Sequence, residues 1–310
     1  MERTRINKKV SAILTSDWHL REDTPVCYTG DFQQEQWIVV QFIKELQEQH
    51  ECPVLHAGDL FHHWKPSPWL LRETMKHLPK LFYTIYGQHD LPQHNINLSN
   101  KCGIDVLEEA GKLTVLDQKN FSVSKYIIIY GLHWNELIAK VSNTTPSVLL
   151  EKNDKMVLVW HHLTYLQKPF PGASGGMAEG ILRKYPQFDL IVTGDNHTSF
   201  TIEYQGRRLV NPGNITRQVA DQIDFQPKVY LWCAEDNSVK AINLPIQEGV
   251  ISREHIDIKE QRDKRIQAFV KQLDGNWQAE TSFEANLEAF FQSNNVREPI
   301  KQLIYKAIET

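Results

Sequence analysis

Six short apolar runs punctuate the first two thirds of the chain, and each ends in residues of a different chemical character. Val10–Thr15 runs into Asp17-Trp18-His19, and Pro53–Leu55 runs into Gly58-Asp59-Leu60-Phe61-His62. Leu81–Tyr86 precedes Gly87-Gln88-His89-Asp90, and Tyr126–Tyr130 precedes Gly131-Leu132-His133. Met156–Trp160 precedes His161-His162, and Leu190–Thr193 precedes Gly194-Asp195-Asn196-His197. Continuous apolar runs of this length predict buried strands. Between them, Gln33–Gln49 sets Trp37, Val40, Ile43 and Leu46 at helical spacing. Pro68–Leu78 reads as a helix with proline in its first turn, and Ile104–Ala110 as a third helix, stopped by Gly111.

Past Leu113 the pattern becomes strand-like, with a turn expected at Lys119-Asn120. Strands are expected again at Ile191–Thr193, Phe200–Tyr204, Leu209–Val210 and Val229–Cys233, with Gln205-Gly206 as a hairpin turn. The expected fold class is α/β, two mixed sheets in a sandwich flanked by helices. Near residue 245 the character shifts. Ile251–Ile258 alternates like a half-buried strand, and Lys259–Leu273 reads as a charged amphipathic helix. Ser282–Gln292 and Arg297–Ile308 read as a helical pair carrying Phe283, Leu287, Phe290, Phe291, Ile300, Leu303, Ile304 and Ile308. The expected organisation is a main domain over 1–245, a small cap-like segment over 246–281 and the helical pair over 282–310. Pro169–Gly176 is the one flexible, glycine-rich loop expected.

Composition narrows the class. The 310 residues are 41% hydrophobic and 23% charged, as in a soluble globular protein. No apolar run approaches the roughly 20 residues that span a bilayer, and Met1–Lys9 has no apolar segment behind it, so no secretory signal is expected. Four scattered cysteines make neither a CxxC pair nor a disulfide framework. Reduced thiols and a cytoplasmic location follow as expectations. The net charge of −4 gives no support for nucleic-acid binding by overall charge, so any polyanion partner would have to be held by a local basic path or by metal ions.

The strand-end residues carry the chemistry. In open α/β folds, ligands bind beyond the carboxyl ends of the strands. Carboxylate oxygens mixed with imidazoles suit manganese or a similar divalent ion better than zinc held by thiolates. Each motif alone is weak: a single DxH, GD or strand-end histidine is common. Their joint order, DxH, GDxxH, GxHD, H, GDxH, resembles the calcineurin-like metallophosphoesterases. Asp59-Leu60-Phe61-His62 with Lys65-Pro66-Ser67-Pro68, Cys102–Gly111, His162-Leu163-Thr164 and Asn211-Pro212-Gly213 narrow the likeness to the SbcD-type nucleases of DNA double-strand-break repair. The resemblance covers about residues 10–235.

That resemblance implies two divalent metal ions. Asp17, His19, Asp59 and His197 would hold the first, Asp59 would bridge, and Gln88, His162 and Asp195 would complete the second. His162 is preferred to its neighbour His161 on the HLT match. His89 matches the histidine that contacts the scissile phosphate and helps the leaving oxygen depart, and His62 a second active-site histidine that positions substrate. His63, His94 and His133 match nothing. Lys65, Arg207, Arg208 and Arg217 are candidate DNA contacts because they lie in or near loops after the motif strands. The implied partners are DNA and an SbcC-type coiled-coil ATPase docking on the C-terminal helices. A homodimer is allowed for, and no membrane role is expected.

Two positions depart from the family pattern: Gln88 stands where the motif has Asn, and Asp195 where it has His. Both fall on the second metal. They keep two other readings open, a phosphoesterase for small substrates and a DNA-end-binding scaffold with a degraded second site.

Overall fold

The computed structural model describes residues 9–118, 121–124, 126–137, 154–168, 172–276 and 283–308. The turn expected at Lys119-Asn120 and residues 169–171 of the glycine-rich loop lie outside them. Among the described residues, fourteen strands run in chain order: β1 (Ala12–Thr15), β2 (Val54–His56), β3 (Phe82–Thr84), β4 (Thr114–Val115), β5 (Phe121–Ser124), β6 (Ile127–Leu132), β7 (Lys155–Trp160), β8 (Thr164–Tyr165), β9 (Gly176–Met177), β10 (Leu190–Thr193), β11 (Phe200–Tyr204), β12 (Arg207–Asn211), β13 (Lys228–Cys233) and β14 (Ser238–Asn243). Two six-stranded mixed sheets result, ordered β14-β13-β1-β2-β3-β4 and β11-β12-β10-β7-β6-β5, with β8 and β9 forming a small pair. Helices α1 (Phe32–His50), α2 (Pro68–His77), α3 (Gly103–Glu109) and α4 (Ala178–Lys184) complete this unit.

Alternation along the strands decides the layers. Ala12 and Leu14 of β1 join Leu55, Ile85, Val157, Val159, Val192, Val210 and Trp232 between the sheets. Ile13 faces the other way, into a cluster with Val39, Val40 and Ile43 of α1 and Leu70 of α2. Leu158, Ile191 and Leu209 pack outward on Ile181 and Leu182 of α4. The helices start where the sequence supplies caps: Asp31 accepts the Gln34 N–H at 2.9 Å, and Ser67, just ahead of Pro68, accepts that of Leu70 at 3.2 Å.

The contact pattern divides the chain after Ser252. The second unit holds α5 (Glu254–Asn276), α6 (Phe283–Ser293) and α7 (Glu298–Ile308). The strand expected over Ile251–Ile258 is replaced by the start of α5. Ile251 makes only an isolated bridge to Tyr28, whereas Glu254 and Asp257 put negative charge in a first helical turn, where it is favoured. The helical pair is present, and much of its apolar face is covered by itself. Leu287, Phe290 and Phe291 are buried against Val296, Ile304 and Tyr305, while Leu303 is 67% exposed.

One side chain ties the two sheets at their edge. Asn237, in the turn between β13 and β14, has φ of 55° and is buried. Its Nδ2 donates to the carbonyls of Asp189 and Gly206 at 2.9 and 2.8 Å, and its Oδ1 accepts the Trp232 indole N–H at 2.8 Å. Asn237→Ala orphans that indole and puts alanine in the left-handed region. A loss of about 2–4 kcal/mol is expected, read as a fall in melting temperature of roughly 2–4 °C per kcal/mol. An unchanged melt would show that the turn does not couple the sheets.

Candidate metal centre

All the chemistry gathers at the carboxyl ends of β1, β2, β3, β7 and β10. The turns after these strands are unusually tight. Asp17, His19, Asp59 and Asp195 have φ of 48°, 45°, 57° and 75°, a region that non-glycine residues adopt mainly when their surroundings enforce it. Here backbone pairing enforces it. The Asp17 N–H donates to the Gly58 carbonyl at 3.0 Å, that of His19 to Asp59 at 3.0 Å and that of Leu20 to Leu60 at 2.9 Å. The loops after β1 and β2 are therefore zipped together, and Asp17, His19 and Asp59 converge.

A third loop is locked on by Asp90. Its buried carboxylate accepts the N–H groups of Asp59 at 2.8 Å, Leu60 at 3.3 Å, Phe61 at 3.1 Å and Gly87 at 3.0 Å. Burial pushes its pKa up to about 6, against the lowering effect of these bonds. Gly87 must be glycine, because a Cβ there would lie 2.1 Å from Asp59 Oδ1. That same Oδ1 accepts the His89 N–H at 2.8 Å.

The remaining atoms of these side chains lack partners. Asp17 Oδ2, Asp59 Oδ2 and His19 Nδ1 are buried with no hydrogen bond. His19 Nε2 lies 3.2 Å from His197 Nε2, 3.9 Å from Asp17 Oδ1 and 3.8 Å from Asp59 Oδ2. On the other side of Asp59, His161 Nδ1 donates to the Ala57 carbonyl at 2.6 Å, so Nε2 is the ring nitrogen left to face the centre. That Nε2 is 2.7 Å from Gln88 Oε1 and 3.6 Å from Asp59 Oδ2. Gln88 is oriented in turn by its Nε2–H, which donates to Asp195 Oδ1 at 2.6 Å. Lone pairs of two imidazoles, an amide oxygen and carboxylates thus face one another, an arrangement that suits a cation.

Electrostatics agree with this fit. Burial, strengthened by Asp59 and opposed by His161, raises the Asp17 pKa to about 8. Burial and the nearby Asp90 raise that of Asp59. Burial and the ring of His197 hold His19 far below its ordinary value, as a neutral imidazole. Three groupings within reach of one ion result: Asp17, His19, His197; Asp17, Asp59, His161; and His19, His62, His89.

The structure revises several expectations from the sequence. It brings His161 to Asp59 and Gln88, where His162 was expected. The His162 ring instead stacks on Trp160, with centroids 3.9 Å apart and planes 1° apart, and burial lowers its pKa to about 4. A signal for His161 was in the sequence: it directly ends an apolar run. Gly58, at φ 88°, leaves room for its ring, since a Cβ there would sit 2.5 Å from His161 Nδ1. His89 and His62 lie beside the cluster, their rings stacked at 5.7 Å, and His89 Nδ1 donates to the His62 carbonyl at 3.0 Å.

The basic candidates fare differently. Arg217 is buried, and its two arms go to the carbonyls of Ile223 and Gln247. Arg207 donates to the Leu182 carbonyl, and Arg208 to Asn237 and to Glu203. These three guanidinium groups hold the fold together, so their assignment as DNA contacts is withdrawn. Lys65 remains exposed. Sequence reasoning missed the support residues. Asn211 Nδ2 binds the carbonyls of Asn196 and Thr198 at 2.6 and 2.9 Å, which clamps the loop bearing His197.

Comparison with known proteins agrees with this geometry. Residues 11–199 match the family described as calcineurin-like phosphoesterase. The DNA double-strand break repair protein Mre11 of Methanosarcina acetivorans is 29% identical over 208 residues, 62% of this chain and 31% of that protein. The chain thus spans about a third of the length of that relative. Among solved structures, a protein of Thermus thermophilus has 10% identity and a TM-score of 0.47, covering 76% of this chain and 100% of its own. The phosphopantetheinyl hydrolase of Mycobacterium tuberculosis has 14% identity and a TM-score of 0.43, covering 76% and 97%. Every loop that delivers a side chain to the cluster lies within residues 11–199, and the chain belongs to the calcineurin-like phosphoesterase family.

Proposed function

We propose that this metallophosphoesterase is a DNA nuclease that hydrolyses phosphodiesters with two divalent ions, manganese being the preferred one, in a complex with an SbcC-type ATPase. The observation that carries the reading is Asp59. Its carboxylate stands between His19 at 3.8 Å and His161 at 3.6 Å, with an unpaired oxygen facing both. Asp17, His19, His197 and Asp59 would hold one ion, and Asp59, His161, Gln88 and Asp195 the other. The similarity to a DNA double-strand break repair protein supports DNA as substrate. The exposed Leu303 and Ile300 of α7 would offer the proposed ATPase an apolar strip, and a cytoplasmic setting is part of the same proposal.

Such a pair of ions, when bound, neutralises phosphate charge, acidifies a water and orients in-line attack. The chain's own residues do the rest. The bond from His89 Nδ1–H to the His62 carbonyl fixes the ring, leaving Nε2 to carry the mobile proton. As the P–O bond breaks, protonated Nε2 donates to the departing oxygen. Burial holds His89 below its ordinary pKa, which favours giving that proton up. His62 is the positioning residue for this proton donor.

The first test is cleavage of linear duplex and single-stranded DNA with and without manganese. Wild type should cut only with the metal. Asp59→Ala should abolish cutting and bind neither ion by calorimetry; full activity in this variant would remove Asp59 from the centre. His89→Asn should retain both ions and lose roughly 100- to 10,000-fold in rate. Loss of ions along with rate would instead make His89 a ligand.

The two departures from the family pattern are in contact, since Gln88 donates to Asp195. Gln88→Asn and Asp195→His should therefore each weaken the second ion more than the double variant does, because partners in one hydrogen bond are not additive. Additive losses in affinity would mean the two changes are independent.

Proton and metal compete for Asp17. Its folded pKa of about 8 lies above the ordinary 3.8, so its contribution to metal-free stability is full below about pH 4 and is lost as pH rises through 8. A bound cation replaces that proton. The rise in melting temperature produced by manganese should grow steadily from pH 5 to pH 8. A rise that is flat or that shrinks over this range would contradict the burial assigned to Asp17.

A further inference from the structure

A second cleft opens beside the loop after β3, lined by His94, Asn95 and Ile96 on one wall and Trp134, Asn135, Glu136 and the exposed Leu137 on the other, with a volume of about 380 Å³. We propose that it is a nucleobase subsite, holding the base of a nucleotide that flanks the scissile phosphate. The proposal rests on the nuclease reading above and adds where the base goes.

Three observations carry it. The first is position. His94 Nδ1 donates to the carbonyl of Gln88 at 3.0 Å, and Gln88 is the residue whose amide oxygen faces His161 in the centre. The Trp134 N–H donates to the Tyr86 carbonyl at 2.9 Å, on the same loop after β3. Both walls are therefore tied to the loop after β3 that carries Gln88 and His89.

The second is chemistry. No lysine or arginine lines the cleft, and the Glu136 carboxylate is occupied, accepting the His133 N–H at 2.9 Å and the Gln118 amide at 2.5 Å. A cleft with a carboxylate and no cation repels phosphate. What it offers is a half-buried indole, an imidazole ring with centroids 5.5 Å away, and amide groups at its rim. Aromatic faces with donor and acceptor edges suit a planar, neutral, polar-edged base.

The third is conformation. Gln93, His94 and Asn135 have φ of 52°, 55° and 62°, so both walls hold residues in the left-handed region. The chain turns tightly on each side and brings the His94 and Trp134 rings together as a tilted pair, centroids 5.5 Å and planes 46° apart, so a base would stack on the face of the half-buried indole turned to the cleft. A volume near 380 Å³ is at the lower end of small-molecule clefts, roughly 300–1,000 Å³, and is ample for one base.

The test crosses the protein with the DNA. Wild type, Trp134→Ala and Trp134→Phe are assayed on single-stranded oligonucleotides that carry an abasic residue at each position around the cleavage site. In wild type, one abasic position next to the scissile phosphate should lower kcat/KM by about 5- to 100-fold, the size of one base stack. Trp134→Ala should lose a similar factor on intact DNA and nothing further on that abasic substrate, while Trp134→Phe recovers part of the loss. Independent, multiplying losses would overturn the proposal, as would equal activity of Trp134→Ala on intact DNA. Quenching of a terminal 2-aminopurine by metal-free protein gives a readout that needs no catalysis. Quenching that Trp134→Ala abolishes upholds the subsite even if wild type cuts nothing and the nuclease reading falls. Equal quenching in both proteins rejects the subsite even if the nuclease reading stands.

Discussion

The centre depends on one buried carboxylate that touches none of the groups proposed as ligands through its own side chain. Asp90 gathers four backbone N–H groups from two loops, those of Asp59, Leu60, Phe61 and Gly87. Those amides would otherwise be orphaned beyond the ends of β2 and β3, where no neighbouring strand reaches them. Leaving buried amides unpaired costs about 1–3 kcal/mol each. A neutral acceptor would also serve them less well than a charged one. With Asp90 in place, Asp59 is held in the left-handed region and its Oδ1 is free to accept from His89. The putting together of proposed bridge and proposed proton donor is thus a property of backbone geometry, fixed before any ion binds.

The second half of the centre shows how a ligand set drifts without collapsing. Aspartate in place of histidine at 195 removes a ring and adds charge, and glutamine in place of asparagine at 88 adds a methylene. Each change alone would misplace its donor. Together they meet: the longer amide reaches Asp195, donates to one of its oxygens and turns Oε1 toward His161. The hydrogen bond absorbs part of the new negative charge and the extra length at once.

Much of this was legible in the chain. The strand-end motifs placed Asp17, His19, Asp59, Gln88, His89, Asp195 and His197 in one region because side chains just past parallel strands must share a rim. The histidine doublet was not resolved, because a motif match counts residues whereas the ring position depends on where β7 ends. β7 carries its pairing through Trp160, and the His161 N–H still bonds to the Leu132 carbonyl, so His161 faces inward and His162 turns onto Trp160. The arginines misled for a related reason. An arginine near a motif strand can reach substrate, and it can equally satisfy carbonyls of its own fold, as Arg207 does at Leu182 of α4 and Arg217 at Ile223 and Gln247. The edge strand β14 was missed because its polar, largely uncovered positions leave no apolar period to read.

These arginine contacts change how DNA would be attracted. The chain carries −4 overall, and the centre itself holds three aspartates, Asp17, Asp59 and Asp195. Three of the four basic candidates are engaged in carbonyl and carboxylate contacts, so in the proposed nuclease they do not supply a basic track beside the centre. Two divalent ions against three carboxylates leave +4 − 3 = +1 at the centre, so in the proposed nuclease the ions are the local source of positive field. In that proposal substrate recognition divides by chemistry: phosphate to the cations, base to the cation-free aromatic cleft beside Gln88. Discrimination in such a site comes from fit and stacking near the centre more than from long-range attraction.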